Sequence, residues 1–163
     1  MKNLILVLIF AVFTGCDNFL PLPSKNGKNI FGCKIDGQTL RTTKINLLSD
    51  NPLFAKMTDS SFYVTGDDYN DRIAVLINVS RINKKGKFNL DQHNNAMYID
   101  NNYPGKYYST TQKYTGQVNV TRFDYKNKVI SGTFEFEAVN KKDSTDVVKV
   151  TRGRFDVDLN TLK

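Results

Sequence analysis

From Ile30 onward apolar and polar residues alternate at period two, and no dozen-residue stretch sustains an apolar stripe at helical spacing. Successive side chains of a strand point to opposite faces, so this pattern predicts half-buried β-structure along the chain. Ile30 to Ile35 and Gln38 to Thr42 flank Asp36-Gly37, a dipeptide that accepts the positive φ values of a type I′ turn. The resulting hairpin sets Cys33 opposite Leu40 on the buried face. A single helical turn is predicted over Pro52 to Met57, because Asp50 or Asn51 can cap it and Pro52 suits a first helical position. Strands follow at Phe62 to Thr65 and Arg72 to Ser80. The second carries Ile73, Val75, Ile77 and Val79 on one face and Ala74 and Leu76 on the other, which predicts a central strand covered on both sides. Gly86 to Leu90, Ala96 to Ile99 and Lys106 to Thr111 read as shorter strands.

The C-terminal third is patterned most clearly. Gly116 to Phe123, Val129 to Val139 and Val147 to Leu159 predict three consecutive antiparallel strands, with Val118 opposite Phe134, Val120 opposite Gly132, Phe136 opposite Val150 and Ala138 opposite Val148. A slip of one residue would turn all of these side chains to water. The same register faces Glu137 with Lys149 on the solvated side. Between Val150 and Phe155 the apolar set changes phase, which requires an extra residue, and Gly153 is where a bulge costs least. The fold class so predicted is all-β: an antiparallel meander of about 8–10 strands forming a two-layer sandwich or flattened barrel, with one short helical turn.

The residues before this domain follow other rules. Lys2 precedes the apolar run Leu4 to Phe13, which stops at Thr14-Gly15-Cys16, the layout of an export signal. The run is half the roughly 20 residues needed to span a bilayer, so it targets rather than anchors. Phe13-Thr14-Gly15-Cys16 resembles the lipobox of bacterial lipoproteins, which implies that Cys16 is the lipidation site; two or three acyl chains would hold the domain at a membrane. Asp17 to Asn29 contains Pro21, Pro23 and Gly27 and reads as a tether. The expected organisation is a signal peptide over 1–15, a lipidated N-terminus and tether over 16–29, and one β-domain over 30–163. Cleavage would leave 163 − 15 = 148 residues and, with Lys2 removed, a formal charge of +6 in place of +7. A chain of that length buries enough surface to fold without a disulfide or metal. Cys33, in the alternation Phe31, Cys33, Ile35, is then expected to be a small core residue without a bonding partner.

Four blocks carry a family resemblance: VISGTFEFEAV from Val129 and VTRGRFDV from Val150, preceded by GQVNVT from Gly116, and the opening hairpin FGCKIDGQTLRT from Phe31. They are similar to a domain-of-unknown-function family of Bacteroidetes-type lipoproteins. The resemblance implies a lipid-anchored all-β domain of the outer membrane, periplasmic or surface-facing, with no established activity and no functional residues to carry over.

Candidate chemistry is sparse. His93 is the sole histidine and stands in a polar stretch, whereas metal sites and activated nucleophiles need several convergent groups. Asp67, Asp68, Asn70 and Asp71 offer oxygens of the kind calcium takes, but without calcium-loop spacing they read as a solvated turn. Glu135 and Glu137 share a strand face at roughly 7 Å, near glycosidase spacing, and the bland account pairs Glu137 with Lys149. No metal and no cofactor are expected. The basic balance admits an anionic partner such as lipopolysaccharide or acidic glycan; nucleic acid is not expected, since no continuous basic stripe with stacking aromatics is present. Six of the eight tyrosines fall between Tyr98 and Tyr125, and Tyr98, Tyr103, Tyr107, Tyr108 and Tyr114 are the candidate ligand-binding residues, because tyrosine joins an apolar ring to a polar tip. At least three of them should then be exposed on one side. The expected function is non-enzymatic binding of a glycan, peptide or envelope protein, with a glycan hydrolase or a lipocalin-like carrier as alternatives.

Overall fold

The computed structural model describes residues 20–42, 52–59 and 61–162. Cys16, with the rest of the expected signal peptide and lipobox, and the candidate caps Asp50 and Asn51 lie outside the described residues. Eleven strands are present among the described residues: β1 (Ile30–Ile35), β2 (Gln38–Arg41), β3 (Leu53–Met57), β4 (Ser61–Asp68), β5 (Ile73–Ser80), β6 (Gly86–Leu90), β7 (Ala96–Asp100), β8 (Lys106–Ser109), β9 (Gly116–Asp124), β10 (Val129–Asn140) and β11 (Val147–Asp158). No helix occurs among the described residues. The expected helical turn at Pro52 to Met57 is corrected to strand β3, whose Leu53 to Met57 pair with Gly66 to Phe62 of β4. The five-residue ladder with β4 pairs this segment's inward backbone groups along its whole length, which outweighs a local preference that could cap only one turn.

All strands join one antiparallel sheet in the order β2-β1-β11-β10-β8-β7-β5-β4-β3, with β9 also on β10 and β6 on β9. Strand β10 explains the branching. Its Val129–Phe136 stretch pairs with β9, and its last residues, Val139 and Asn140, pair with β8 on the same edge. From that fork the sheet curls into a half-barrel, bringing β4 over β1 and β11. Phe62 of β4 meets Phe155 of β11 at 5.4 Å between ring centroids, and Phe31 of β1 packs over Gly66 of β4. Strand β5 lies centrally between β4 and β7, but only its Val75, Ile77 and Val79 face is fully buried. The expectation of cover on both sides is therefore corrected: Ala74 and Leu76, on the opposite face, are half-buried.

The core is built on glycine opposite phenylalanine. Across the ladders Phe134 pairs with Gly153, Phe155 with Gly132 and Phe136 with Gly116. Each ring fills the space its partner lacks: a Cβ on Gly153 would lie 2.3 Å from Phe134, and one on Gly116 would lie 2.2 Å from the Cβ of Phe136. Phe31, Phe134, Phe136 and Phe155 consequently stack in a chain of ring contacts, and the interior they occupy is filled. Cys33 faces Leu40, as the hairpin register requires, with both side chains buried. Burial pushes the Cys33 thiol up to about 12, so thiolate is scarce at neutral pH.

The C-terminal register is the expected one. Val118, Val120, Phe136 and Ala138 meet Phe134, Gly132, Val150 and Val148 in turn, and Lys149 Nζ lies 3.4 Å from Glu137 Oε1. The change of phase in β11 falls beside Gly153 rather than on it. Phe134 pairs with Gly153 and Phe136 with Val150, so Thr151 and Arg152 together oppose Glu135. Arg152 takes the left-handed conformation, φ +53°, which glycine would adopt at less cost. Gly153 is instead reserved for the Phe134 ring.

Candidate functional site

Counting from the bulge, Thr133, Glu135 and Glu137 of β10 point away from the core, with Lys149, Thr151 and Arg154 of β11 and Gln117 and Asn119 of β9 beside them. This outer face has two halves. At one end it is covered by residues 20–29, the described part of the expected tether. The segment passes Gly32, where Pro21 lies against the backbone, and Arg154 Nη1 donates to the Pro21 carbonyl. Arg122 Nη1 donates to the Lys25 carbonyl. The backbone amides of Asn26, Gly27 and Lys28 then converge on the Asp156 carboxylate at 3.1, 2.9 and 3.0 Å, and the Ser131 hydroxyl donates to it at 2.6 Å. Asn29 Oδ1 accepts from Asp158 N at 2.8 Å before the chain enters β1. Asp156 is 1 % exposed although it belongs to the outer face. Burial alone would raise its pKa; the bonds from Ser131, Lys28 and Gly27 outweigh that and hold it below the ordinary carboxylate value.

The other half is open. Beside Pro23 a groove of about 390 Å³ is lined by Lys87, Asn119, Thr133, Glu135, Arg152 and Arg154, among others. It continues past Gln117 and Glu135 into a second depression of about 440 Å³ bordered by Lys113, Glu137, Lys149 and Thr151. The bulge makes this possible: the extra residue in β11 places Arg152 where regular alternation would set a core position. Burial, and then the charge of Arg152, lower the pKa of Arg154. Sequence reasoning located the bulge and the outward glutamates but missed this groove, because Lys87 arrives from β6 and Pro23 from the N-terminal segment, and no local pattern records that meeting.

The five candidate tyrosines do not form one surface. Tyr103 is 99 % exposed and Tyr107 45 % exposed, whereas Tyr108 is 5 % exposed; Tyr98 and Tyr114 are half-buried. The expectation of at least three exposed rings is not met, since only Tyr103 and Tyr107 of the five are exposed. Tyr98 and Tyr108 are a cross-strand pair with ring centroids 5.3 Å apart, and burial followed by the Asp100 charge pushes Tyr98 up to about 12. Tyr108 donates to Asp146 Oδ2 at 2.9 Å, an oxygen that also accepts from Lys106 and Asn140. That network fastens the β10–β11 turn to β8.

His93 is exposed and 3.6 Å from Asp91, whose Oδ1 accepts the His93 and Asn94 amides of the same turn. Asp68 is likewise occupied locally, accepting the Asn70 and Asp71 amides between β4 and β5. Among the described residues no group of three or more His, Cys, Asp or Glu could hold a metal ion, and no helix is long and apolar enough to cross a membrane.

No curated protein and no solved structure matches the chain. A family match does exist, to the domain of unknown function DUF6252, over residues 30–157. Its limits run from the first residue of β1 to the penultimate residue of β11, so the matched unit is the complete strand set built around the glycine–phenylalanine core. The chain therefore belongs to the DUF6252 family.

Proposed function

We propose that this chain is an envelope lipoprotein, anchored through acyl chains on Cys16, whose β-domain binds a ligand or partner without transforming it. The observation that carries the reading is the open half of the outer face. There, polar side chains from β6, β9, β10 and β11 converge on a continuous groove above a core already filled by phenylalanine rings. A lipocalin-like carrier would need a hollow interior, and the ring contacts among Phe31, Phe134 and Phe155 occupy that space. A glycan hydrolase would draw on Glu135 and Glu137, but Glu137 is engaged with Lys149 across the ladder, a surface arrangement worth only about 0.2–1 kcal/mol.

The anchor and the binding role are tested together. In cells given a clickable palmitate analogue, the chain should incorporate label and partition into the detergent phase, and Cys16→Ala should abolish both. Unlabelled wild-type chain would contradict the anchor. Capture from solubilised envelopes on the immobilised full chain, beside a glycan array, should return a ligand that Cys16→Ala still binds; capture by neither route would contradict the binding role.

A further inference from the structure

We infer that the open groove is a site for an acidic oligosaccharide, whose carboxylate oxygens are held between Arg152, Arg154 and Lys87; this rests on the reading of the domain as a binding module.

The charged side chains lining the first depression enter no ion pair among the described residues, and the one hydrogen bond Arg154 makes there, to the Pro21 carbonyl, leaves its charge unneutralised. Lys87, Arg152 and Arg154 line that depression with one carboxylate, Glu135, which leaves it two positive charges in excess. The four ion pairs among the described residues involve His93, Lys106, Arg122 and Lys149, and none of these groove residues. Arg152 and Arg154 line the same depression, and like charges sharing a site are stabilised by an anion between them. Guanidinium is the side chain best matched to a carboxylate, through paired N–H donors in one plane.

The backbone gives a second, independent sign. Of the six non-glycine residues with positive φ among the described residues, Arg152 alone lies within a strand; the others fall at turns or strand ends. Glycine stands next to it, so the chain accepts a strained arginine where an unstrained residue would serve the bulge. Such strain is characteristic of binding sites, and bulges re-aim side chains beside them.

A saccharide rather than a bare anion is favoured by what surrounds the cations. The side chains of Gln117, Asn119, Thr133 and Thr151 border the two depressions. They offer amide and hydroxyl donors and acceptors suited to sugar hydroxyl groups. Across the ladder from Thr133 to Glu137 the groove runs about 14 Å, four strand residues at ~3.4 Å each. That length suits a chain of sugars and exceeds what a single headgroup needs.

The test is calorimetric titration of the full chain in detergent micelles with a hexamer of galacturonate, with the neutral galactose hexamer and inorganic phosphate as comparisons. The acidic hexamer should bind and the other two should not. Arg152→Asn keeps a side chain that tolerates the left-handed conformation and should weaken binding at least about tenfold; Lys87→Gln should weaken it severalfold. Glu135→Gln should strengthen it, by about threefold, because it removes the opposing charge beside Arg152 and Arg154. A hexamer that fails to bind, equal binding of the neutral hexamer or of phosphate, or an Arg152→Asn chain that binds like wild type would each overturn the site. If envelope capture persists undiminished in Arg152→Asn, the binding module stands and the acidic site falls. If vesicles containing lipid A compete while the galacturonate hexamer does not, the ligand is a phosphorylated headgroup and the oligosaccharide assignment is overturned.

Discussion

Ser131, Thr133, Glu135 and Glu137 share one face of one strand and meet opposite fates. Ser131 disappears with Asp156 beneath residues 26–28, where its hydroxyl and three backbone amides all donate to the Asp156 carboxylate. A few residues along, Glu135 stands exposed among arginines that it does not bond. The comparison separates two uses of polar residues on a sheet. In the covered half they replace water as hydrogen-bond partners for the incoming chain; in the open half they are left for something else to satisfy.

The largest effect should come from breaking the covered half. Asp156→Ala leaves the Asn26, Gly27 and Lys28 amides without their acceptor and should cost about 3 kcal/mol of stability, measured by urea unfolding. Because the folded-state pKa of Asp156 is depressed, its contribution is present above the unfolded carboxylate value of about 3.9 and is lost as pH falls through the lower folded value. Wild-type stability should therefore drop below about pH 4 more steeply than that of Asp156→Ala. Ser131→Ala removes one of the donors and should cost about 1 kcal/mol.

Effects in the open half should be smaller and of mixed sign. Arg152→Gly relieves the left-handed backbone and should leave stability unchanged or raise it by up to about 1 kcal/mol, while removing a ligand contact. A loss of several kcal/mol there would show that Arg152 serves the fold. Glu137→Gln should change stability by no more than about 0.5 kcal/mol, as expected for an exposed pair with Lys149.

Much of this fold was legible in the sequence. Alternation fixes which side chains share a face, so Val118 opposite Phe134 and Ala138 opposite Val148 follow once the connection from Phe123 to Val129 and the turn at Asn140 to Thr145 are recognised. The Asp36-Gly37 turn was legible for the same reason, since it depends on two adjacent residues, and both have positive φ. Segment β3 was misread because Pro52 suits a helix start locally, whereas the partner that makes it a strand, β4, lies beyond the segment itself. Tyr98 and Tyr108 illustrate the same limit: tyrosine serves a half-buried ladder as well as a binding surface, and only the neighbouring Asp146 and the curl of the sheet decide between them. Asp156 was invisible as an anchor, since its three backbone donors lie over a hundred residues away in the chain.

The division of the outer face is tested most directly by amide chemical-shift mapping of the isotope-labelled full chain during titration with the galacturonate hexamer. The expected shifts cluster at Gln117, Asn119, Thr133, Glu135, Thr151 and Arg152, while Asn26, Gly27 and Lys28 remain unmoved over Asp156. Shifts centred on Tyr103 and Tyr107, or movement of residues 26–28 with none at Arg152, would contradict the account.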